Sequence, residues 1–147
     1  MSSPAGAEEE IQRLFLAYQQ YQAQAEALVR QISLAQLTMD GLDRAATAVD
    51  AMEKSQEGQE MLVPIGSGSL IHARLASSAK VILGVGAGVS IEKNTSEAKE
   101  ALLARKGEIS ESSRKLNEAL SKIDQEMQKI QDVLAKYESH AGSERIV

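Results

Sequence analysis

The sequence predicts an α+β fold, a long antiparallel two-helix coiled coil with two β-hairpins at its centre. In the first and last thirds of the chain, apolar residues recur at alternating intervals of three and four residues, which is typical of coiled-coil helices. The middle third changes to short apolar runs separated by glycine turns, which indicates hairpins. Aromatic residues are only 3% of the sequence, so a thin helical seam is expected instead of a thick globular core.

The first helix is predicted over residues 8–55, where no proline interrupts the pattern. Its seam consists of Ile11, Leu14, Tyr18, Tyr21, Ala25, Leu28, Ile32, Ala35, Met39, Leu42, Ala46 and Val49. An unbroken register of about six heptads is well above the length at which a coiled coil is indicated. Gly41 is a weak point, because glycine costs roughly 1 kcal/mol relative to alanine inside a helix.

The second helix is predicted over residues 95–139. Asn94 and Glu97 have the spacing of a helix start, in which Asn94 accepts from free backbone N–H groups and Glu97 reaches back. Its seam consists of Leu102, Ile109, Leu116, Leu120, Ile123, Met127, Ile130, Leu134 and Tyr137. The two helices have similar lengths and neither can bury its stripe alone, so antiparallel pairing is expected to stabilise both.

The register of the second helix also passes through Lys99, Lys106 and Ser113. The half of the helix nearest the middle of the chain is therefore a poorer seam, and looser packing or contact with something else is expected there. Residues 1–7 and 140–147 are expected to be flexible tails.

The middle segment, residues 60–92, is predicted to form four short strands in two hairpins. Pro64 suggests a strand edge or end, and Gly66 to Gly68 and Gly86 to Gly88 are the expected turns. Two isolated hairpins are marginally stable and leave their strand edges open. We therefore expect other chains to complete them, through Leu62, Val63, Ile65, Leu70, Ile71, Val81, Ile82, Leu83, Val85, Val89 and Ile91.

The composition argues against several classes of function. The net charge is −5 and no Lys/Arg block offers a footprint for nucleic acid. Cys is absent from the sequence, and the two histidines lack ligand-spaced partners, so no metal site is expected. The apolar stretch from Val81 to Val89 is too short for a membrane span, and the first ten residues lack a secretory signal pattern. A cytoplasmic protein without membrane contact, cofactor or catalytic activity is expected.

The central segment is similar to that of the alpha class of the prefoldin family. The runs LVPIGSGS (residues 62–69) and GVGAGVSIEK (residues 84–93) resemble the two hairpin turns of that class. A beta-class chain carries one hairpin instead of two. The resemblance extends over about residues 8–139, although any coiled coil shares the pattern of the helices alone.

The resemblance implies a hexamer of two alpha-class and four beta-class subunits, whose hairpins join into an intersubunit β-barrel platform. It also implies that the coiled-coil tips capture non-native polypeptide without ATP, metal or cofactor and pass it to a group II chaperonin. If the hairpins lie at one end of the helix pair, both chain ends lie at the other end and form the tip.

The residues predicted to contact a client at this tip are Ile11, Leu14, Phe15, Leu16, Tyr18, Ile130, Val133, Leu134 and Tyr137. Phe15 and Leu16 fall outside the seam of the first helix, and Val133 flanks the seam of the second. Clustered apolar residues beyond those that the seam needs suggest a surface for transient contact. The alternative is ordinary exposed surface, because isolated exposed leucines are common.

Two other functions remain open from the residues. The first is a structural coiled-coil adaptor that assembles through its hairpins and binds no client. The second is an enzyme that binds nucleotide with Gly84-x-Gly86-x-Gly88. This spacing differs from that of dinucleotide-binding loops and no helix is predicted to begin there, which favours a hairpin turn.

Overall fold

The computed structural model describes residues 4–144. Its elements, in chain order, are α1 (Pro4–Glu53), β1 (Glu60–Gly66), β2 (Ser69–Arg74), β3 (Lys80–Gly86), β4 (Val89–Asn94) and α2 (Thr95–Glu144). The described residues form two compact units. Unit 1 contains residues 4–36 and 111–144, and unit 2 contains residues 37–110.

Both helices extend into the segments that were expected to be flexible tails. Residues 4–7 and 140–144 are helical, whereas residues 1–3 and 145–147 lie outside the described residues. Proline suits the first position of a helix because its fixed φ is helical and its missing N–H has no partner there anyway. Pro4 therefore begins α1, and no proline ends α2 before Glu144.

The two helices run antiparallel in unit 1. Gln131 Nε2 donates to Tyr18 Oη at 2.9 Å and Tyr137 Oη donates to Glu10 Oε2 at 2.8 Å, so positions along α1 rise as those along α2 fall. Every predicted seam residue of both helices is buried or half-buried. The predicted seam is confirmed.

Most of the buried apolar residues of the two helices lie in unit 2. Leu42, Ala46, Val49 and Ala98 are buried there. Near Lys99 and Lys106 each lysine reaches an aspartate beside the seam of α1, so that its aliphatic stem can pack while its charge is paired. Looser packing of this half of α2, or its contact with another chain, stays a prediction.

These two ion pairs repeat one heptad apart. Lys99 Nζ lies 2.6 Å from Asp50 Oδ1, and Lys106 Nζ lies 2.7 Å from Asp43 Oδ1. The hydrogen bond from Lys99, followed by that from Lys54, holds the pKa of Asp50 below its usual value. The same bond raises the pKa of Lys99.

Asn94 caps the start of α2 as predicted. Its side-chain Oδ1 accepts from the backbone N–H of Glu97 at 2.8 Å, which satisfies one of the free donors at a helix start. At the other junction, Ser55 Oγ donates to the carbonyl of Ala51 at 2.7 Å. At both junctions with the hairpins, where α1 ends and α2 begins, a side chain therefore hydrogen-bonds a backbone group of the helix.

The two predicted hairpins are confirmed. β1 pairs with β2 and β3 pairs with β4, each antiparallel and each a separate two-stranded sheet. The turn of the first hairpin contains Ser67 and Gly68, with φ angles of 50° and 74°. The turn of the second contains Ala87 and Gly88, with φ angles of 53° and 76°. Positive φ at both central residues is the type I′ turn, whose twist matches that of a hairpin.

The hairpins are a structural repeat with an offset of twenty residues. Pro64 pairs with Leu70 and Gly84 with Ser90, and in both hairpins the register then shifts by one residue before the turn. The backbone N–H of Leu75 donates to Gln59, and that of Thr95 donates to Ala79, each at 3.0 Å. Few side chains are identical between the two copies, so the repeat is clear from the backbone pairing but not from the sequence.

Candidate functional site

The outer edges of the four strands form the first candidate site. Each hairpin has only two strands, so each strand has one edge whose backbone groups find no ladder partner within the described residues. Unpaired edges are templates for another strand. A chain that folds in this way therefore offers four strand edges to its neighbours.

The predicted assembly residues lie along these strands, and most of them are exposed. Val63, Val81 and Leu83 are half-buried. The exposed residues are Leu62, Ile65, Leu70, Ile71, Ile82, Val85, Val89 and Ile91. Ile82 is the most exposed of these residues, at 71%. Such a concentration of exposed aliphatic side chains is typical of an interaction surface.

Charges are distributed unequally over the strands. β1 begins with Glu60, whose carboxylate lies 3.5 Å from Arg74 at the end of β2. β4 carries Glu92 and Lys93, whereas Lys80 is the only charged residue of β3. Charges and proline are the usual protection of strand edges against unwanted pairing. β2 and β3 each have one charged residue and no proline, so they are less protected than β1 and β4.

The second candidate site lies in unit 1, among the residues predicted to form the tip. Phe15 and Leu16 are 54% and 62% exposed, and Val133 is also exposed. Ile130 is buried at 8% exposure, and Ile11, Leu14, Tyr18, Leu134 and Tyr137 are half-buried in the seam. The nine predicted residues therefore divide into seam residues, which hold the helices together, and three residues that face solvent.

A shallow groove of about 170 Å³ runs beside Phe15. Ile11, Leu134 and Tyr137 contribute seam side chains to its lining, and Glu138 and Ala141 complete it. Sequence reasoning missed Glu138 and Ala141. Helical spacing could have identified Ala141. This residue follows Tyr137 by four positions and Leu134 by seven, which places Leu134, Tyr137 and Ala141 on one face of α2.

Two hydrogen bonds hold the helices together beside this groove. Tyr137 donates to Glu10, and Gln131 donates to Tyr18. The carboxylate of Glu10 raises the pKa of Tyr137, because it stabilises the protonated phenol. These hydrogen bonds join the two helices beside the groove. The apolar residues of the groove itself are only partly buried.

Comparison with known proteins connects these features to one family. The prefoldin subunit family matches residues 21–138. The chain is 55% identical over 114 residues to the prefoldin subunit alpha of Methanothrix thermoacetophila, covering 78% of this chain and 74% of the relative. It is 34% identical over 131 residues to that of Methanosarcina mazei, covering 87% and 92%.

A solved structure agrees with this similarity. The chain resembles a subunit of the filamentous prefoldin of Methanocaldococcus jannaschii with a TM-score of 0.67 and 25% identity, covering 81% of this chain and 96% of the other. No helix within residues 4–144 is long and apolar enough to cross a membrane. Two long helices joined by two hairpins, together with these similarities, show that the chain belongs to the prefoldin family as an alpha-class subunit.

Proposed function

We propose that this chaperone subunit is an ATP-independent holdase that captures unfolded polypeptide at its helix tip. The exposed pair Phe15 and Leu16 carries the proposal, because these two large side chains lie outside the seam and contribute little to helix pairing. The groove beside Phe15 offers an apolar surface against which a client side chain can be partly buried.

Assembly through the hairpins supplies the second half of the mechanism. We propose that strand edges join the chain to beta-class subunits, in a hexamer of two alpha and four beta chains whose hairpins close into β-barrels. Burying one apolar client side chain contributes roughly 1.5–3 kcal/mol at most, so one tip binds weakly. Several tethered tips can raise affinity by about 10²–10⁴, and weak single contacts allow release without nucleotide.

The cellular setting belongs to the same proposal. The complex acts in the cytoplasm, catalyses no reaction, and passes its client to a group II chaperonin. Support for this role comes from family membership and from the open tip, which leaves the bound segment accessible to a second protein.

The test is aggregation suppression by the assembled complex without ATP. In the tip variant, Phe15, Leu16 and Val133 are replaced by serine. Because all three side chains are exposed, the helix pair should stay folded and the complex should keep its mass. We expect suppression to fall at least tenfold in potency.

A matched control replaces Leu37 and Leu103 by serine. These are exposed aliphatic side chains of the hairpin-bearing unit, and their loss should leave suppression unchanged. Full activity of the tip variant would reject tip capture and favour the structural adaptor, which assembles without binding a client.

A further inference from the structure

The groove beside Phe15 has carboxylates at its border. Glu138 lines the groove itself. Glu8 lies seven residues before Phe15, which is two turns of α1, and so shares its face. Both glutamates are exposed, and neither has a charged partner within the described residues.

Within residues 4–144, the nearby lysine and arginine lie on other faces of the two helices. Arg13 precedes Phe15 by two residues, and Lys136 precedes Glu138 by two residues. At 3.6 residues per turn this spacing is a rotation of about 200°, so both bases lie on the sides of their helices away from the groove. The groove is therefore apolar along its floor and negative at its border.

We infer that this tip groove selects client segments in which an apolar side chain lies next to a lysine or arginine. The apolar side chain would pack against Phe15 and Ile11, and the cation would lie near Glu138 and Glu8. This inference rests on the proposed holdase function and names the chemical class of segment that this alpha-class tip prefers.

Charge complementarity decides between occupants of the groove. An acidic segment would place its carboxylates against unpaired glutamates, and like charges repel by about as much as opposite charges attract. A neutral apolar segment would gain burial alone. A basic apolar segment gains both the burial of its apolar side chain and the attraction of its cation to the glutamates. It is therefore the occupant that the groove fits best.

The experiment measures binding of three short fluorescent peptides to the full-length chain assembled with a beta-class subunit. The peptides share the same leucines and differ only in having lysine, glutamine or glutamate between them. At low salt we expect the lysine peptide to bind about fivefold more tightly than the glutamine peptide, the factor that one solvated ion pair supplies. The ratio should approach one near 1 M salt, where the Debye length is about 3 Å.

The double variant Glu8→Gln/Glu138→Gln should lose this preference while still binding the glutamine peptide. Its matched control, Glu100→Gln/Glu108→Gln, removes two exposed carboxylates from unit 2 and should keep the preference. Equal affinity of the original chain for all three peptides would overturn the inference, and so would an equal loss in the control. The holdase proposal would survive either result if the glutamine peptide still bound and aggregation were still suppressed.

Discussion

Pro64 and Gly84 occupy the same register position in the two repeated hairpins. Each pairs with a β2 or β4 residue immediately before the shift in register, Pro64 with Leu70 and Gly84 with Ser90. Proline has no backbone N–H, so hairpin formation does not need a donor at this position. We therefore expect the N–H of Gly84 to be unnecessary for its own hairpin and free to pair with a neighbouring strand.

Replacing Gly84 by proline should weaken assembly without unfolding the hairpin, because β1 already tolerates proline at the equivalent position. One lost backbone hydrogen bond is worth about 0.5–1.5 kcal/mol, so partner affinity should fall about two- to tenfold. Native mass spectrometry across a dilution series would measure this loss.

The matched control for that variant is Gly84→Ala, which keeps the N–H. A Cβ at this position meets nothing within 4 Å in the chain. Unchanged affinity of the proline variant would show that β3 does not pair through this group. An equal loss in the alanine variant would point instead to a neighbour that packs directly over the glycine.

Ala87 is a second site at which the structure predicts whether a substitution raises or lowers the free energy of unfolding. Its φ of 53° is left-handed, a conformation that costs an L-residue about 1–2 kcal/mol. Ala87→Gly should therefore raise the free energy of unfolding by about 1 kcal/mol, measured by chemical denaturation. Ala104→Gly, in the exposed interior of α2, should lower it by a similar amount, and a loss in both variants would contradict the turn geometry.

The Asp50–Lys99 pair predicts a dependence of stability on pH. The pKa of Asp50 is lowered in the folded chain, so its stabilising contribution is present above the unfolded value near 3.9 and is lost as the pH falls through the folded pKa. Asp50→Asn should therefore lower the melting temperature at pH 7 and have little effect near pH 2. Asp124→Asn, an exposed carboxylate, should have little effect at either pH, and an Asp50→Asn loss of equal size at both would contradict the pairing.

The seam should tolerate truncation far less well than the outer helix faces. Leu42 is 9% exposed and Leu37 is 67% exposed, on the same helix and within the same unit. Leu42→Ala should cost about 2–5 kcal/mol of unfolding free energy, whereas Leu37→Ala should stay within about 0.5 kcal/mol. Similar costs for both leucines, measured by urea denaturation of the assembled protein, would show that another chain covers Leu37.

The coiled-coil seam and the hairpins could be predicted because their signals are local. A spacing of three and four residues determines which side of a helix an apolar residue occupies, so positions from Ile11 to Val49 were identified correctly. Gly68 and Gly88 similarly mark turns that need positive φ, and Asn94 marks a helix start. Each of these signals depends on neighbours in sequence and not on the rest of the fold.

The features that were missed depend on contacts between distant segments. The partners of Lys99 and Lys106 follow only from the pairing register of the two helices, which periodicity alone does not fix. The end of α2 was placed before Ala141 because the sequence there lacks a strong apolar pattern, and the groove beside Phe15 was missed for the same reason. Whether Phe15 and Leu16 bind a client stays a prediction.

The repeated hairpin has a consequence for stoichiometry. A polypeptide with two equivalent strand-pairing elements can pair with a different neighbour through each of them. Each hairpin has two outer strand edges, so a chain with two hairpins presents twice as many pairing edges as a chain with one. We therefore expect the proportion of two-hairpin chains to affect how many subunits one assembly contains.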